Sequence, residues 1–150
     1  MALEAAPGDA EALYGRAIAG ARLRRDAGAL ADAAAYLARR PHDAAALRLL
    51  AALLCQEGRA DEALVLLERE LARGGERRLG LDAAELCVKR GEALGALRHL
   101  DAALEGGVPL VDVVQTYKGP LFDEVRTGSE GRAFTRRLAE RGRALMDGAR

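Results

Sequence analysis

The side chains that could perform chemistry are few and scattered. His42 follows Pro41 in a turn, and His99 sits beside Arg98 in a helical stretch. Neither has a Cys, His or carboxylate at the spacing of a metal-ligand set, so both read as surface histidines. Cys55 and Cys87 lie far apart among Leu and Ala, which suits two buried free thiols in a reducing compartment. Asp123 and Glu124 are paired carboxylates only in sequence. Adjacent helical residues point in different directions, and the first turn of a short helix accounts for both. Gly15, Gly20 and Arg22 faintly echo a phosphate loop, but the Lys-Ser/Thr pair is missing and the segment has helical periodicity. This inventory leads us to expect no catalytic residue, no cofactor site and no metal site, and hence not an enzyme.

Charge narrows the partners. The chain has 23 basic and 23 acidic residues and a net charge of zero, whereas a nucleic-acid binder carries a basic excess. The arginines from Arg126 to Arg150 outnumber Glu130, Glu140 and Asp147, so a basic terminal helix could in principle touch nucleic acid or an anionic membrane. A solvated helix face is the favoured reading of them, since no aromatic residue beyond Phe134 interleaves them. No apolar run approaches the roughly 20 residues that span a bilayer. Neither a positive n-region nor an apolar h-region opens the sequence. The expectation is a cytoplasmic protein with no nucleic-acid partner and no membrane partner. Lysine appears only at Lys89 and Lys118 against many arginines, which suggests a high-GC bacterial gene.

The elements that must position these residues are helices. Half of the 150 residues are apolar, only 3% are aromatic, and Trp is absent. The apolar content is mostly Ala and Leu, the strongest helix formers, and Ala lets helices approach closely. A pattern recurs three times: an apolar-striped helix, a Gly turn, and a small residue five positions later. The pairs are Gly28 with Ala33, Gly58 with Ala63, and Gly91 with Ala96, at spacings of 30 and then 33 residues. Leu37, Leu67 and Leu100 follow four positions after each alanine. Each glycine is placed to adopt the left-handed conformation that ends a helix. Each alanine allows the second helix to lie against the first, and each leucine fills the gap beyond it. One such hairpin cannot bury its apolar stripe alone, so hairpins must stack. Asp43 is the N-cap of the clearest copy, and Leu47, Leu50, Ala51 and Leu54 form its stripe, with Leu67 and Leu71 on the second helix.

These features resemble the tetratricopeptide (TPR) family, whose period is about 34 residues. The resemblance is carried by Pro41 to Leu71 and by Gly91-Glu92-Ala93-Leu94-Gly95-Ala96 with Leu100 and Ala103. Departures are Pro41, which shortens the first copy, Arg24 where an apolar residue is usual, Gly80 where a bulky one is usual, and Glu70 in place of Ala. After Gly106-Gly107, Val108-Pro109-Leu110 opens a short apolar helix to about Tyr117, although its valines also admit a strand. Then Pro120-Leu121-Phe122-Asp123-Glu124-Val125-Arg126 and Arg132-Ala133-Phe134 resemble the closing segment of bacterial TPR proteins. Leu121, Phe122 and Val125 would plug the open end, and Phe134, Leu138 and Leu145 would hold a helix running from about Ser129 to Asp147.

The resemblance implies an all-α fold, a right-handed α-α superhelix of about three hairpins and a cap. The boundaries are a tail over 1–8, hairpins over 9–40, 43–74 and 77–105 within 9–107, and capping helices over 108–150. It also implies a concave groove lined by the first helix of each hairpin. Its residues would be Ile18, Arg22 and Arg25, then Arg48, Ala52, Cys55 and Gln56, then Arg78, Asp82, Glu85 and Lys89. The expected function is a non-catalytic adaptor that binds another protein or peptide segment, an acidic one if the arginines pair with carboxylates. The chaperone-tail clamp of some relatives uses paired Asn and Lys; this chain has no Asn, and Arg22 and Leu49 stand where those Asn would fall. The alternatives are a homo-oligomer joined end to end through Leu3 and Leu13, or the interaction domain of a larger regulatory or kinase-type bacterial protein.

Overall fold

A computed structural model describes residues 7–24 and 26–148. It divides into two compact units, Met1–Glu76 and Arg77–Arg150. The described residues outside loops and turns are all helical, so the strand alternative at Val108–Val114 is not what forms.

The first unit holds α1 (Pro7–Arg22), α2 (Asp26–Arg39), α3 (Ala44–Gln56) and α4 (Ala60–Ala72). Helices α1 and α2 pack together, as do α3 and α4, and α2 also packs on α3. Asp43 caps α3 as expected, its side chain accepting from the Ala46 N–H at 3.1 Å. The stripe Leu47, Leu50, Ala51 and Leu54 is buried, and Ala63 and Leu67 are fully enclosed. Leu71 is only half-buried. Tyr14 of α1 stacks on Tyr36 of α2 with ring centroids 4.9 Å apart. Arg16 and Asp32 form a two-pronged pair across the same helices, at 3.0 and 2.7 Å. Arg16 is well exposed, so solvent screens this pair and it adds little to stability.

The register of the first hairpin differs from the expectation. Gly58 and Gly91 are left-handed, with φ of 76° and 78°. Gly28, however, lies inside α2, and the left-handed residue that ends α1 is Arg24, with φ of 54°. The hydrogen bonds confirm the equivalence: Arg24 N–H donates to Ala21 O just as Gly58 N–H donates to Cys55 O and Gly91 N–H to Val88 O. Arg24, Gly58 and Gly91 therefore stand 34 and 33 residues apart. The counterpart of Ala63 and Ala96 is Ala29, which is 2% exposed, not Ala33. Ala33 takes the place of Leu67 and Leu100 and is fully buried as well. Sequence gave no warning, because a non-glycine residue seldom adopts this conformation, at a cost of roughly 1–2 kcal/mol.

The second unit holds α5 (Leu79–Lys89), α6 (Ala93–Glu105), α7 (Leu110–Lys118), a 3₁₀ turn (Pro120–Phe122), α8 (Asp123–Thr127) and α9 (Ser129–Gly148). Helices α5 and α6 form its hairpin. Gly80 is buried there because α6 comes too close for a bulky side chain: an added Cβ would lie 3.2 Å from Ala103 Cβ. Phe122 and Phe134 are almost fully enclosed, and Val125 and Leu138 are buried with them. Tyr117 meets Phe134 edge to face, with centroids 4.9 Å apart. Two expectations fail at the surface. Leu121, the middle residue of the 3₁₀ turn, is 37% exposed, and Leu145 is 60% exposed. The buried positions on α9 end at Leu138.

Candidate protein-interaction surface

The proposed groove residues are distributed over three helices, and each unit presents its own set. On α3, Arg48, Ala52 and Gln56 are exposed at intervals of four, which places them on one face, and Cys55 beside them is half-buried. On α1, Ile18 is half-buried and Arg22 is exposed, again four apart. Arg25 lies outside the described residues. With the register set by Arg24, Ile18 is the counterpart of Ala52 and Arg22 the counterpart of Gln56. The counterpart of Arg48 is then Tyr14, whose ring is already stacked on Tyr36.

In the second unit Lys89 is exposed, whereas Asp82 and Glu85 are half-buried. Arg78 stands at the N-cap of α5 and is paired with Asp112 of α7. It therefore braces α5 against α7, a role that local spacing could not show because Asp112 is 34 residues away.

Sequence reasoning also missed a charged cluster in the first unit. Glu70 is 7% exposed, yet it is fully engaged. Arg73 grips both of its oxygens, and His42 Nδ1 lies 3.0 Å from Oε2. His42 is a surface histidine, yet its imidazole meets a carboxylate from 28 positions further along the chain, far outside any metal-ligand spacing. Gly75 is what admits the carboxylate, since a Cβ there would lie 2.4 Å from Glu70 Oε1. The hydrogen bonds from Arg73, aided by His42, hold the Glu70 carboxyl below its ordinary range although burial opposes them. Beside it, the Tyr36 hydroxyl donates to Asp43 at 2.6 Å, which lowers the Asp43 carboxyl and raises the phenol. Every acid here answers a structural partner, so the cluster locks the Arg40–Asp43 turn to α2 and α4.

Four arginines of the C-terminal segment are engaged in a similar way. Arg126 donates to the Tyr117 and Gly119 carbonyls and pairs with Asp123, tying off the end of α7. Arg132 donates to Thr127 O at 2.9 Å. Arg137 and Arg141 reach Asp101 and Glu105 of α6, at 2.8 and 2.6 Å. Asp123 and Glu124 occupy the first turn of α8, as expected of residues favouring a helix start.

Among the described residues no cluster of three His, Cys, Asp or Glu side chains could hold a metal ion, and both cysteines are free thiols. No helix among them is long and apolar enough to cross a membrane.

A solved structure has a similar fold. PcrH from Pseudomonas aeruginosa superimposes with a TM-score of 0.61 at 18% identity, covering 90% of this chain and 95% of that one. The fold is a TPR-like helical repeat. At this identity the likeness speaks for the fold alone. No family model matches the chain, and no curated protein matches it.

Proposed function

We propose that this protein is a non-catalytic adaptor that holds a segment of another protein against the exposed faces of its first-in-hairpin helices. The observation that supports it most directly is the stripe Arg48, Ala52 and Gln56 on α3. A small side chain between two long polar ones leaves room for a passing backbone, while the outer two reach toward its side chains. Arg48 and Arg22 offer planar forks suited to carboxylates, so the segment is acidic where it crosses α1 and α3. Asp82 and Glu85 carry the opposite sign, so the acidic part does not belong on α5. A bacterial host and a cytoplasmic location are part of the same proposal.

The test is a partner segment captured from the native host and titrated against Arg22→Glu with Arg48→Glu. Affinity should fall at least tenfold while the far-UV circular dichroism stays unchanged. An unaltered affinity would remove both arginines from the binding face. Self-association through Leu13 is not favoured, since Leu13 is buried in the first hairpin, and Leu3 lies outside the described residues.

A further inference from the structure

The second unit contains a cavity of about 300 Å³ between α7, α8 and α9. Its walls are mainly apolar, supplied by Val114, Leu138, Ala139 and the Tyr117 ring. The hydroxyls that border it are internally satisfied: Tyr117 donates to Gly131 O at 2.7 Å, and Thr135 donates to the same carbonyl at 2.9 Å. They therefore make no demand on a ligand. The remaining polar groups are two cations, Lys118 and Arg126, and no acidic side chain lines the space among the described residues. Arg126 is anchored and balanced by Asp123, which makes it a fixed donor rather than a loose charge. Lys118 has no ion-pair partner among the described residues.

An apolar chamber with one uncompensated positive charge selects a ligand of matching form. We propose that this cavity binds a short aliphatic carboxylate as a free small molecule. The tail lies on Val114, Leu138 and Ala139, and the carboxylate pairs with Lys118 and the spare N–H groups of Arg126. The volume is at the small end of ligand sites, which suits a chain of about six to eight carbons. The site is separate from the exposed faces of α1 and α3, so it stands or falls apart from the adaptor reading.

Octanoate titrated into the full chain, followed by methyl and amide NMR, is the direct probe. Resonances of Val114, Thr135, Leu138 and Ala139 should move together with a Kd of about 1 mM or tighter, as expected of a ligand this small. Lys118→Glu should weaken binding at least tenfold, and 1-octanol should bind at least tenfold more weakly than octanoate. Ala139→Phe, which fills the chamber from an exposed position, should abolish the shifts. The proposal is overturned if octanol binds as well as octanoate, if Lys118→Glu changes nothing, or if no shift appears below 10-fold that Kd. It is also overturned if a peptide ending in Leu binds there and octanoate does not.

Discussion

Gly131 provides the most decisive test of the packing in the second unit. It occupies the first turn of α9, where helix propensity alone favours Ala over Gly by about 1 kcal/mol. The structure predicts the opposite sign. A Cβ at Gly131 would lie 1.8 Å from Val125 O, 2.7 Å from Val125 C and 2.9 Å from Arg126 Cα. All three are backbone atoms, so no side chain can swing aside. Restoring an ordinary contact requires α8 and α9 to separate by over about 1 Å, an overpacking strain of about 1–3 kcal/mol or more. That movement also pulls the Gly131 carbonyl from the Tyr117 hydroxyl, a bond of 2.7 Å whose loss costs about 1 kcal/mol. Set against the propensity gain, Gly131→Ala should destabilise the protein by about 1–3 kcal/mol, a fall in Tm of roughly 2–12 °C. Gly15→Ala is the matched control, since nothing lies within 4 Å of its added Cβ. It should stabilise by about 0.5–1 kcal/mol. Urea denaturation followed by circular dichroism measures both. A Gly131→Ala protein as stable as the parent would refute the close approach of α8 and α9.

Other perturbations probe separate features. Arg24→Gly removes the strain of a left-handed non-glycine residue and should raise stability by about 1 kcal/mol in the same denaturation assay; a loss would contradict the assigned register. Phe134→Ala should cost about 3–5 kcal/mol, because the ring is fully enclosed and the site is fixed by Tyr117; a cost below 1 kcal/mol would show that α9 is not packed there. Glu70 and Asp43 are both depressed in the folded state, so their contribution is present above the ordinary carboxylate range and lost as pH falls through their folded values. Urea midpoints measured from pH 7 down to about 3 should therefore decline, and Glu70→Gln should flatten that decline. An unchanged slope in the variant would remove Glu70 from the acid response.

The parts of this fold that were legible from sequence are those governed by neighbours in the chain. The Asp43 cap, the left-handed Gly58 and Gly91, and the limits of α7 and α9 all follow from local preference and periodicity. The TPR resemblance singles out Arg48, Ala52 and Gln56, and they stand exposed at four-residue intervals on α3. What stayed hidden depends on residues distant in sequence. His42 with Glu70, and Arg78 with Asp112, meet only after helices pack. Gly131 looks like a weak helix residue until Val125 is brought against it. Arg24 was obscured differently, because Gly28 supplied a more plausible turn residue four positions away.

That four-residue offset sets where one hairpin could be exchanged for another. Hybrids spliced at Arg24, Gly58 and Gly91 would join chains at the same point of the turn, and each graft would arrive in phase. A junction that aligned Gly28 with Gly58 would instead add or omit four residues, according to which half comes first, just over one helical turn. The following helix would start about 6 Å out of position and rotated by roughly 40°, turning its apolar stripe partly toward water. Chimaeras built on the visible glycines should therefore misfold where those built on backbone conformation do not.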